Sequence, residues 1–219
     1  MSKSNLIKNF INSNMNIDIA LQNLMVILNE FNNEDLMNWV RKELTGYGVN
    51  DEILKYRKLK GLVMANFIVG HLQYSGQRFP ISHLEEELKE GLETVIMYSS
   101  IATLMKSIND DRGLMRPIPP EFYDKIQSGS NAHITNAYVK IDTTSITDLV
   151  YTVKTKVLDA LLLLEKEFGN LDDLDIDTSA KTEEENNTII EKLYITLYDN
   201  SITIEDNNEI KKSNLITHI

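Results

Sequence analysis

From Ser145 to Phe168 apolar side chains return every three or four positions: Leu149, Val150, Val153, Val157, Leu158, Leu161, Leu162, Leu164 and Phe168. That interval is the helical period, and the stripe is too wide to be covered by a single neighbour. Ser145-x-x-Asp148 reads as a weak capping box at its start, and Gly169 supplies the left-handed geometry that stops a helix. A helix of this kind has to sit in the centre of a core. The remaining chain must therefore supply elements that wrap it.

Several segments qualify. Leu21, Leu24, Met25, Leu28 and Phe31 form a second helical stripe. Asn33 is placed to cap a following helix, with Glu34 and Asp35 in its first turn and Arg41 and Lys42 in its last, as the helix dipole favours. Gly46 and Gly48 end it. Ser82-x-x-Glu85 reads as a capping box, and Leu84, Leu88, Leu92, Val95, Ile96, Ala102 and Met105 extend a stripe to about Ile108. At 1.5 Å per residue that helix would be roughly 40 Å long. Pro120 suits the first position of a short helix.

Strand signals are fewer. Leu59, Val63, Ala65 and Phe67 alternate with Leu62, Met64 and Ile68, which predicts a short buried strand over 58–69. Leu193, Ile195 and Leu197, then Ile202 and Ile204, alternate around Asp199-Asn200 and read as a hairpin. The expected fold class is mainly α with an α+β character: a helical body, one short strand element, and a β-rich C-terminal tail.

Charge is unevenly distributed along the chain. Of a formal net charge of −11, the segment 170–187 carries −6, with seven acids against Lys181. Residues 1–169 carry only −3 and residues 188–219 carry −2. The expected organisation is a helical domain at 1–169, an acidic linker at 170–187 and a short tail at 188–219 that promotes self-association. Overall acidity disfavours nucleic acid and anionic lipid as partners, although the nearly balanced body leaves nucleic acid open.

Other chemistries are bounded by what is missing. There is no cysteine, which excludes disulfides, thiol catalysis and Cys-type metal centres. His71, His83, His133 and His218 share no ligand spacing. Asp173, Asp175, Asp177 and Glu184 match four positions of a calcium loop, but Thr178 stands where the sharp turn needs glycine. No metal and no cofactor is expected, and no phosphate loop or nucleophile elbow occurs. The N-terminal 14 residues lack the apolar stretch of a signal peptide. The charge-free run 61–77 is short and holds Asn66, His71, Gln73 and Ser75, so a cytoplasmic protein without a membrane span is expected.

The densest constellation is Trp39-x3-Glu43-Leu44-x-Gly46-Tyr47, followed by Tyr56-Arg57. Trp39 and Glu43 lie one helical turn apart on a shared face. Arg57 is then placed to pair with Glu43 or to stack on an aromatic ring. One reading is a clamp at the helix end. The other is an anion-binding corner, because 41–60 holds six bases against three acids.

This string resembles the AbiTii family of bacterial abortive-infection proteins. Ser99-Ser100-Ile101-Ala102-Thr103-Leu104, Ile118-Pro119-Pro120 and the helical run from Ile146 to Asp159 are similar to later family segments. The resemblance covers about residues 18–168. Lys154 stands where the family usually has Arg, and Lys55 where it often has Pro. What the resemblance implies is defence against phage by halting the infected cell, with no established catalytic residue. Two modes follow. In the first, the protein works by self-association and by binding a phage or host protein. In the alternative it is a toxin enzyme acting on RNA or a nucleotide, with phosphate bound at the Arg57 corner.

Overall fold

Residues 3–108 and 113–198 are described by the computed structural model, in which α7 (Thr143–Phe168) is the central element. Ile146, Leu149, Val150, Val153, Val157, Ala160, Leu161 and Leu164 along it are all buried. Around it pack α1 (Asn5–Ile11), α2 (Ile17–Leu28), α5 (Ile101–Ser107) and α8 (Glu183–Tyr198). The helix α3 (Glu34–Thr45) lies against α2, α5 and α8. Asn33 caps α3 by accepting from the Leu36 N–H at 3.0 Å, as its position predicts.

The mainly α reading is corrected to α+β, because among the described residues six strands form two antiparallel sheets. One sheet pairs β1 (Lys58–Lys60) with β4 (Thr94–Ile96). The other has the order β3-β2-β6-β5, from β2 (Leu62–Val69), β3 (Leu72–Arg78), β5 (Leu114–Pro117) and β6 (Ala132–Ile141). The remaining helices are α4 (Glu86–Glu93) and the single turn α6 (Tyr123–Ile126). The short strand expected over 58–69 is thus two strands in different sheets. Gly61 divides them: a Cβ there would lie 2.7 Å from the Lys140 carbonyl oxygen, so the backbone passes too close for a side chain.

For β3, β6 and β4 the local sequence conceals the strand for a physical reason. β3 is an edge strand exposed at nearly every position and carries no alternating apolar face. In β6 a register shift opposite Asn66/Phe67 breaks the alternation between Ile134 and Ala137. The helix expected over 84–108 is two helices flanking β4. Its middle is held extended by backbone pairing, with Leu59 opposite Val95 and the Met97 N–H donating to the Arg57 carbonyl at 2.8 Å. Ser82 and Glu85 do not form a capping box; α4 begins after Glu85 with no side-chain cap.

The β-rich tail is also corrected over its described part, since 183–198 is helical. Ile189, Leu193 and Leu197 recur at four-residue spacing and are buried on one face against the body. Burying that face decided against the competing two-residue alternation. A capping box opens α8: the Thr182 hydroxyl accepts from the Glu185 N–H at 3.2 Å, and Glu185 accepts from the Thr182 N–H at 2.8 Å. Between α7 and α8, Leu171 and Ile176 are buried, and Asp172 accepts from the Leu6 N–H at 3.0 Å in the first turn of α1. Asp199-Asn200 and the pattern after it lie outside the described residues.

Candidate functional site

The six residues singled out in the sequence meet where α3 ends against the 97–100 segment. Trp39 and Glu43 project inward from α3 and both are fully buried. Gly46 closes the helix at φ +96°, and a Cβ on it would meet the Tyr98 carbonyl oxygen at 2.8 Å. This close approach lets the Tyr47 N–H donate to the Tyr98 carbonyl at 2.8 Å and turns the Tyr47 ring back over the helix end. Tyr56 and Arg57 arrive on a 3₁₀ turn, Lys55–Arg57, immediately before β1.

Glu43 is the acceptor at the centre. Its Oε1 accepts from the Tyr47 hydroxyl at 2.7 Å, the Tyr56 hydroxyl at 2.8 Å and the Arg57 Nε at 3.1 Å. Its Oε2 accepts from Arg57 Nη2 at 2.5 Å, which completes a bidentate ion pair. Arg57 Nη1 donates to the carbonyls of Met97 at 2.8 Å and Ser99 at 2.7 Å. The guanidinium also lies 4.4 Å from the centroid of the Tyr47 ring. The Trp39 indole donates to the Tyr56 hydroxyl at 3.1 Å, so that oxygen is both donor and acceptor.

The electrostatics follow from burial around one ion pair. Desolvation first, and then the charge and hydrogen bonds of Glu43, push both the Tyr47 and Tyr56 phenols well above their ordinary range. Both hydroxyls therefore stay protonated and act as fixed donors. Burial alone would lower the Arg57 guanidinium, but its hydrogen bonds to Glu43 and that carboxylate's charge outweigh it and raise it. The corner holds its protons rather than passing them.

Arg57 faces inward, with no exposed surface and four donor bonds inside the chain. Of its basic neighbours, Lys42 pairs with Asp51 at 3.1 Å and Arg41 with Glu34 at 3.0 Å. Lys55, Lys58 and Lys60 are exposed. The geometry can knit the 97–100 strand-to-helix crossing to α3; an anion would have to displace internal bonds to reach Arg57.

Partners from distant parts of the chain were not legible. The carbonyls of Met97 and Ser99 belong to a segment that reads as helix interior. Lys156 of α7 is buried, donates to the Thr196 carbonyl at 2.8 Å and lies 5.7 Å from the Tyr56 ring. Beside the clamp a cleft of about 170 Å³ opens between α3, the 47–54 loop and α8. Trp39, Tyr47, Tyr194 and Tyr198 line it with Asp35 and Glu52. The Tyr194 and Tyr198 rings stack 4.5 Å apart, a pairing that only the helical form of α8 allows.

Among the described residues no group of three or more His, Asp or Glu is placed to hold a metal ion. Nor is any helix among them long and apolar enough to cross a membrane. No curated protein and no solved structure matches the chain significantly. A family model, AbiTii, matches residues 4–190, from the start of α1 to the middle of α8. The match takes in the whole clamp and the elements it joins, and by it the chain belongs to the AbiTii family of abortive-infection proteins.

Proposed function

We propose that the protein carries out its family's role, abortive infection against phage, by self-association and binding of a phage or host protein in the cytoplasm rather than by catalysis. The observation that carries this reading is the closed Glu43–Arg57 clamp. The most distinctive residues of the chain form an internal lock with no exposed reactive group, so they brace a surface and are not themselves placed to touch a substrate. The clamp fixes α3 and the 97–100 crossing relative to one another, so any surface built on them is preorganised.

Self-association is assigned to residues 199–219, where Ile202 and Ile204 alternate with polar residues and Ile210 follows the corner Asp206-Asn207-Asn208. The test compares the full chain with a chain ending at Tyr198, by light scattering and in phage challenge. The expected result is an oligomer that loses both association and protection on truncation. A full-length monomer that still protects overturns the proposal. So does turnover of RNA or of a nucleotide by the purified protein that is lost together with growth arrest.

A further inference from the structure

We infer that the solvent-facing side of the four-stranded sheet is a binding platform for single-stranded nucleic acid. In a chain with 33 acids, none of β2, β3, β5 or β6 contains an Asp or Glu. Strands disfavour acids in general, but a solvated sheet face ordinarily mixes both signs. Here only one sign is present. Val63, Ala65, Ile134, Ala137, Val139 and Ile141 point into the core. Their strand neighbours point the other way, and register sets them side by side.

Pairing of Arg78 with Met64, of Lys140 with Leu62 and Met115, and of His133 with Ile68 spreads two cationic side chains and one imidazole over that face. None of the three is in an ion pair among the described residues. Asp142, whose ionisation is favoured first by the Thr144 hydroxyl and N–H and last by the Lys140 charge, caps α7 through the Thr144 N–H at 2.8 Å. Between the cations lies Tyr138, half-buried opposite Met64. Its hydroxyl reaches across β2 to Gly76 of β3, where an added Cβ would lie 3.4 Å from it. The ring thus lies along the sheet rather than standing off it, and it offers a face on which a base can stack. Leu62 and Met115, 47% and 49% exposed, extend the apolar floor beside it.

Cations at the margins, an aromatic ring lying along the sheet and an apolar floor are what an unpaired strand requires: charge for phosphates and a π-face for bases. A duplex hides its base faces and would use only the cations. An acidic chain binding through so few cations should bind weakly and with marked sensitivity to salt. For two or three phosphate contacts, affinity should fall about tenfold between about 50 and 200 mM salt.

The test uses the full-length protein and a fluorescein-labelled single-stranded RNA of about 16 nucleotides, with a DNA of the same sequence and the corresponding duplex as comparisons. Expected are binding of the single strands at about 50 mM salt, weaker binding of the duplex, and the tenfold salt effect. Arg78→Glu with Lys140→Glu should weaken binding at least tenfold, and Tyr138→Leu about tenfold. Lys58→Glu with Lys60→Glu, in the basic stretch beside the clamp, should leave it unchanged. If the charge-reversed sheet variant loses its fold by circular dichroism, hydrogen exchange on the wild type decides instead, through protection of 62–69 and 132–141 by the RNA. Absence of single-strand binding, equal affinity for duplex, or loss through Lys58 and Lys60 instead overturns the assignment. It is equally overturned if Arg78→Glu with Lys140→Glu changes the oligomeric state and not RNA affinity, because a second copy then covers the face.

Discussion

Replacing Arg57 by alanine leaves Glu43 charged, fully buried and without its bidentate partner, and strips the Met97 and Ser99 carbonyls of a donor. Breaking one side of a buried pair costs about 3–5 kcal/mol, so Arg57→Ala should lose that much in urea denaturation. Arg57→Lys should recover only part of it, because one ammonium cannot reach both Glu43 oxygens and two carbonyls together. An Arg57 that instead served a ligand would leave unfolding unchanged on substitution. At this scale the sequence was informative where partners are close along the chain. Trp39, Glu43 and Tyr47 share a helix face or its end, and Gly46 marks the turn. It was silent about the 97–100 carbonyls and Lys156, because contacts across forty or more residues leave no periodic trace.

At the scale of elements, helix starts are decided by which side chain reaches an orphan N–H. Asp142 caps α7 through the Thr144 N–H, whereas Ser145, the residue expected to open it, lies inside the helix. Asp142→Ala should therefore lower the melting temperature, and Ser145→Ala should change it by much less, both read from thermal melts. Equal effects would return the helix start to Ser145. The same logic explains part of the acidic stretch: Glu183, Glu184 and Glu185 occupy the first turn of α8, where the dipole favours them. Strand elements were harder to read. β3 lacks an apolar face, β6 carries a register shift, and Val95 and Ile96 suit a helix stripe as well as a strand. In each case the neighbouring strand, absent from any local window, chose the outcome.

For the whole molecule, α8 is part of the core: Ile189, Leu193 and Leu197 are buried against the body, and Tyr198 donates to the Asp35 carbonyl at 2.6 Å. A chain ending at residue 182 should lose cooperative unfolding or melt far below the full chain. An unchanged melt would make α8 dispensable. At the other end, α1 is held by two carboxylates, Asp172 at the Leu6 N–H and Glu165 at the Ser4 N–H and the Lys3 ammonium. Partial burial opposes ionisation of Glu165, but the Lys3 and Ser4 hydrogen bonds outweigh it and lower the group from 4.5 to about 2. A depressed carboxylate stabilises the fold fully above its ordinary value and loses that contribution as pH falls from about 4.5 towards 2. The urea midpoint of the wild type should therefore drop more between pH 6 and pH 3 than that of Glu165→Gln, a window set by these two values. Parallel curves would show that this tether contributes nothing.

The central stripe from Leu149 to Phe168 by itself determined that a long buried helix organises this protein, because a wide apolar face has no other stable use. The Trp39 to Arg57 string likewise carried both the kinship and the residues of the clamp. Tertiary structure alone decided the rest. Local patterns at 58–69, 94–96 and 189–198 were compatible with more than one period. Burial against α7, or pairing with a strand tens of residues away, selected the period each segment keeps.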